Sequence, residues 1–177
     1  GRYALYRYDR AAKRVGELLV GDAGFDIGQG DMIRADSSRA PIGVTIDAER
    51  PQTYWFDAQR AAEQRVIDAS LPAGRVNALQ KLPDGKLLVR SYSDTEPGVY
   101  YFYDPQEKTL SEWLSTRPWI DATKMSRTEV VRYRSRDGQD LMGYFTRPFD
   151  ARPGPVPQLV WVHGGPAGRD HWGFDAE

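Results

Sequence analysis

The sequence predicts a mainly β chain in two parts: a partial β-propeller over residues 1–116, then the first strands of a mixed, mostly parallel sheet over residues 117–177. Three observations predict this. Aromatic triplets ending in Asp recur with a period in the forties. Short stretches rich in β-branched and aromatic residues lie between Pro, Gly and Asp. Near the far end, the apolar run "LVWV" (159–162) has no alternation and opens directly onto "HGGP".

The repeat comes first in chain order. "LYRYD" (5–9), "TYWFD" (53–57) and "YYFYD" (100–104) each place Tyr three positions before an Asp and an aromatic immediately before it. The aspartates are Asp9, Asp57 and Asp104, at steps of 48 and 47 residues. In the last two copies the match extends upstream: "DAERPQTYWFD" lies over "DTEPGVYYFYD", so Asp47, Glu49 and Asp57 map onto Asp94, Glu96 and Asp104. Such a period, with several strand-like pieces per copy, is what four-stranded propeller blades produce. "PIGVTI", "KLLVRSY" and "GVYYFY" read as strands, and Asp84-Gly85 supplies a tight hairpin turn between two of them. The aromatic triplets read as core and inter-blade packing in preference to ligand binding. One stretch, "DAQRAAEQRVIDA" (57–69), is rich in helix formers. The register of the repeat assigns it turn plus strand, because the equivalent positions of the other copies hold Gly16, Pro105 and β-type residues.

After residue 115 the pattern changes. Pro118 marks a crossing, and "IDATKM" (120–125) suits one helical turn. "EVVRYRSRDGQDLMGYFTRP" (129–148) reads as two strands around a turn at Asp137-Gly138. "RPGPVPQ" (152–158) is a stiff loop. The continuous apolar run "LVWV" then suits a strand buried on both faces. A hairpin followed by such a strand is how a sheet of α/β-hydrolase type begins. The 62 residues after 115 are too few for a complete doubly wound domain, so its core is expected to be cut open.

Bulk properties exclude several functions. A formal net charge of −1, from 24 basic and 25 acidic residues that intermingle, gives no footprint for nucleic acid or an anionic membrane. No apolar run is long enough to cross a bilayer. Without cysteine there are no disulfides, thiolate metal sites or cysteine nucleophile, and the compartment is left undetermined. The chain opens on Gly1 directly before a strand, so an N-terminal portion with any targeting signal is expected to be missing.

Two successive glycines after a strand let the backbone approach a ligand and leave amides outside any ladder. Such amides can stabilise negative charge developing on a carbonyl oxygen during acyl transfer. An HGGG-type loop after the third strand has this position in α/β-hydrolases. Here the fourth letter is Pro166, which has no N–H to add. An ordinary loop is the competing reading. His163 reads as a hydrogen-bonded residue orienting the loop, since no serine lies near it in sequence for a base to act upon. His171 reads as a surface residue, and two histidines far from an acidic cluster make a poor metal site.

The repeats, "YRSRDGQDLMGYFTRP" and "PQLVWVHGGPAGRDHWGFD" together resemble the prolyl oligopeptidase family, especially its acylaminoacyl-peptidase and dipeptidyl-aminopeptidase-like branch. The similarity covers nearly the whole chain. It implies a propeller capping an α/β-hydrolase domain and limiting access to short peptides. A Ser-Asp-His triad would cleave these, without metal or organic cofactor. By position, it implies that Gly165 N–H contributes to an oxyanion hole, with Gly164 shaping the turn and His163 supporting the loop. Arg169 and Asp170 would order the substrate-pocket wall, a surface ion pair being the alternative. No G-x-S-x-G segment occurs in the 177 residues. The chain is therefore expected to be an internal fragment, inactive alone and bound to the remainder of its polypeptide or to another copy. Two other readings stay open: a non-enzymatic propeller module for protein binding, and an esterase-type acyl hydrolase.

Overall fold

The computed structural model describes residues 2–27, 32–35, 38–166 and 168–176. The chain is mainly β, built from antiparallel sheets. Strands β1 (Leu5–Asp9) and β2 (Arg14–Val20) form a hairpin. Strands β3 (Met32–Arg34), β4 (Pro41–Asp47) and β5 (Pro51–Trp55) form a three-stranded sheet in that order. Helix α1 (Ala58–Ser70) follows, then the four-stranded meander of β6 (Val76–Lys81), β7 (Leu87–Tyr92), β8 (Val99–Asp104) and β9 (Thr109–Ser115). A 3-10 turn at Ala122–Lys124 leads to the hairpin of β10 (Thr128–Arg134) and β11 (Asp140–Thr146). Among the described residues, no helix is long and apolar enough to cross a membrane.

The repeat has a direct structural meaning. The three aromatic triplets lie on β1, on β5 with Phe56 just past it, and on β8, and the Asp that closes each accepts backbone N–H groups just ahead of it. Asp9 Oδ1 accepts the N–H groups of Ala11 and Ala12, both at 2.9 Å. Asp104 Oδ1 accepts those of Gln106 and Glu107 at 3.0 and 3.2 Å. Each carboxylate thereby holds the tight turn into the next strand, a role Asp fills because its short side chain reaches the backbone just ahead of it.

At Asp57 the same side chain starts a helix, and the expected turn plus strand is corrected here. Asp57 Oδ1 accepts Arg60 N–H at 2.8 Å as an N-cap. The run "AQRAAEQRVIDAS" then continues as helix, because Ala, Gln, Glu and Arg propagate it and no Gly or Pro interrupts. Local propensity prevails over the repeat register because α1 can still cover the neighbouring sheet. Its fully buried Ile67 packs with Leu87, Val89 and Tyr103 of the meander, and Leu71 adds to that cluster. Buried Glu63 is paired with Arg60 at 2.5 Å and accepts from Gln59 at 2.9 Å.

A second core joins the first hairpin to the three-stranded sheet: Val20, Ile27, Val44, Ile46 and Ala48, flanked by Leu5, Leu19 and Phe25. Alternation along β4 aims Val44 and Ile46 into it and puts Asp47 and Ala48 at the sheet's end. That end proves important.

The expected buried strand at 159–162 is also corrected. Leu159, Val160, Trp161 and Val162 form no strand and are 72–82% exposed. A strand apolar on both faces needs neighbours on both edges and layers above and below. Among the described residues nothing lies there, and β10–β11 pairs only with itself. The loop 152–158 has no regular structure, as its prolines predict.

Candidate functional site

The sequence directs attention to His163–Asp170, of which the structure describes His163–Pro166 and Gly168–Asp170 and brings the two pieces close together. Gly165 has φ +138°, a backbone conformation that side chains disfavour. Gly168 returns so close to Gly164 that a Cβ on it would lie 2.5 Å from the Gly164 carbonyl oxygen and 3.1 Å from His163 Nδ1. His163 Nδ1 is 2.9 Å from the same carbonyl oxygen and donates to it when that nitrogen carries the proton. On the side where a Cβ would stand, Gly164 faces open space. Among the described residues, neither Gly164 N–H nor Gly165 N–H donates to a backbone carbonyl.

What holds the loop lies downstream. Arg169 donates through Nη1 to Asp47 O at 2.6 Å and through Nη2 to Ala48 O at 2.9 Å. Its Nε donates to Asp170 O at 3.3 Å, and its Cζ sits 5.0 Å above the ring of Phe25. A planar guanidinium can satisfy these acceptors together because its donors are fixed in a fork. His171 Nδ1 meets Asp47 Oδ2. Trp172 is 3% exposed, with Arg50 Cζ 4.6 Å from its ring centroid. Asp170 is exposed.

The hairpin reaches the same place. Tyr144 Oη donates to Glu49 O at 2.9 Å, and Arg132 pairs with the Glu49 carboxylate. All three carbonyls of Asp47, Ala48 and Glu49 are thus occupied by side chains from beyond residue 117. Burial pushes the Tyr144 phenol above its ordinary value of 10.0, against the opposing pull of Arg169. One repeat further on, Asp94 Oδ2 accepts Thr128 N–H at 2.7 Å, while Glu96 pairs with Arg75 at 3.3 Å. Asp47, Glu49 and Asp94 are therefore attachment points for residues beyond 117, while Glu96 stays paired within the repeats.

The structure brings Gly164, Gly165 and His163 together and fastens Arg169 against the β4–β5 turn. Sequence reasoning missed the turn itself, together with Tyr144, Gly168 and Trp172. The signal available was the repeated Asp-x-Glu of 47–49 and 94–96, a charged pattern retained inside an aromatic repeat. A groove of about 410 Å³ lies elsewhere, between the 3-10 turn and the hairpin, with Thr95, Met125, Arg127 and Phe149 on its walls. Among the described residues no group of three or more His, Asp or Glu side chains is placed to hold a metal ion.

No protein-family model matches the chain. Its sequence is 33% identical over 181 aligned residues to dipeptidyl aminopeptidase BIII of Pseudoxanthomonas mexicana, covering 97% of this chain and 25% of that protein. The chain is a relative of the dipeptidyl peptidases. A second similarity, 24% over 167 residues, is to dipeptidyl peptidase family member 6 of Caenorhabditis elegans, covering 82% of this chain and 23% of that one. The resemblance to the prolyl oligopeptidase family is borne out by both. The chain spans about a quarter of the length of the curated relatives it matches.

Proposed function

We propose that the chain is the junction segment of a serine peptidase, with residues 1–116 forming the last blades of a β-propeller and residues 117–177 the start of an α/β-hydrolase domain. The complete polypeptide hydrolyses short peptides through a Ser-Asp-His triad outside these residues. The relatives' names favour release of dipeptides over removal of single acylated residues. The observation that carries this reading is the similarity over 97% of the chain, which runs through the repeats and the His-Gly-Gly loop alike.

In this reading the loop supplies half of an oxyanion hole. A serine oxygen attacks the scissile carbonyl carbon, and the carbonyl oxygen takes up negative charge. Gly165 N–H donates to that oxygen, while Gly164 leaves space for it to approach. His163 engages the Gly164 carbonyl and holds the turn. Such a donor contributes about 3–4 kcal/mol to transition-state stabilisation because it is aligned before charge develops. The second donor comes from the residue after the nucleophile. The chain alone is inactive.

The test uses the full-length polypeptide that carries this sequence, with dipeptidyl, aminoacyl and acyl-aminoacyl anilides as substrates. Release of anilide from the dipeptidyl compounds, and loss of that activity on labelling by a fluorophosphonate, are expected. Absence of both cleavage and labelling would end the peptidase reading. Cleavage of simple esters alone would replace it with an esterase.

A further inference from the structure

We propose that the β4–β5 turn, Asp47–Arg50, positions the glycine loop, and that Arg169 is the positioning residue through which it does so. This rests on the oxyanion reading above and adds what fixes the donors in place.

The two flanks of the loop differ sharply. Upstream, residues 159–162 form no ladder with the described residues and stand exposed. Downstream, Arg169 grips two consecutive backbone carbonyls, His171 meets Asp47 and Trp172 is buried beneath Arg50. Next to the grip, Gly168 packs directly on the Gly164 carbonyl. Gly168 is bonded directly to Arg169, so a displacement at Arg169 is transmitted to the Gly164 carbonyl.

The acceptors also matter. Arg169 binds main-chain oxygens at the end of β4, whose Val44 and Ile46 are fully buried. Its anchor is thus fixed by a hydrophobic core belonging to the repeats. Among the described residues Asp47 Oδ1 has no hydrogen-bond partner, so the side-chain share of the grip runs through Oδ2 to His171. Arg suits this task and Lys does not, since one ammonium cannot reproduce a fork spanning two carbonyls. The carbonyls of Asp47 and Ala48 already occupy Arg169, which argues for positioning over contact with a substrate carboxylate.

Steady-state kinetics of the full-length polypeptide on a dipeptidyl anilide separate these roles. Misplacing a catalytic group by about 1 Å costs on the order of a hundredfold in rate. Arg169→Ala is expected to lower kcat by about that factor with KM little changed, and Arg169→Lys to recover only a minor part. His171→Gln, which keeps the fork, should cost much less. A rise in KM with kcat unchanged would overturn the proposal and make Arg169 a substrate ligand. Wild-type kcat in a folded Arg169→Ala protein would overturn it as well. Should that variant fail to fold, Arg169→Lys carries the same split, and wild-type kcat there is contradictory. An inactive, unlabelled wild type marks instead the failure of the peptidase reading.

Discussion

Tyr144 shows how a single group reports on the junction. Its hydroxyl donates to Glu49 O, and burial raises its ionisation above the ordinary 10.0. A folded-state pKa raised above the unfolded one means that this contribution is complete below pH 10 and is lost as pH climbs through the raised value. The hairpin is therefore expected to loosen from the β4–β5 turn in strongly alkaline solution. Phenolate absorbance followed together with near-UV circular dichroism checks this. Tyr144→Phe should remove that dependence and cost about 1 kcal/mol of stability through the lost hydrogen bond. Tyr92 shifts in the same direction, chiefly by burial and with a contribution from Asp47, so the control is the difference between wild type and Tyr144→Phe.

Helix α1 tests the account at the level of elements. Asp57→Ala removes the N-cap and is expected to lower stability by about 1 kcal/mol in urea denaturation. Ile67→Ala opens a hole in the core between α1 and the meander and should cost about 2–5 kcal/mol. If α1 were a strand in solution, Asp57→Ala would leave the helical circular dichroism signal unchanged. The aromatic triplets, the Asp84-Gly85 turn and the 129–148 hairpin were all legible, because alternation and turn chemistry are local properties. Asp104 illustrates the point: the Glu107 N–H above all, helped by Lys86 and the Gln106 N–H, holds its carboxyl below the usual 3.8, all within one β-meander. Helix α1 is not legible because two local signals conflict: the repeat register points to turn plus strand, and the residue propensities to helix. The run at 159–162 was misread for another reason: whether an apolar segment is buried depends on partners that its own residues do not specify. The His-Gly-Gly loop was legible as a motif. Its anchor was not, since Asp47 and Arg169 are 122 residues apart and meet only through folding.

For the molecule as a whole, the two parts are joined by specific polar contacts around one turn, while much apolar surface stays outside. Besides residues 159–162, the first hairpin exposes Tyr6, Tyr8, Val15 and Leu18, and β9 exposes Trp113. Exposed apolar surface beside unpaired strand edges favours association. The 177-residue chain on its own is thus expected to self-associate, with Trp161→Asp shifting sedimentation toward monomer. A monodisperse monomer with a sharp two-state melt would contradict that expectation.

The most direct measurement is a crystal structure of the full-length polypeptide carrying a covalent boronate adduct on its nucleophilic serine. The account predicts a tetrahedral oxygen of the adduct about 2.7–3.1 Å from Gly165 N, with Arg169 still on the Asp47 and Ala48 carbonyls. Finding the Gly164 and Gly165 amides paired in a ladder, or turned away from the adduct, would contradict it.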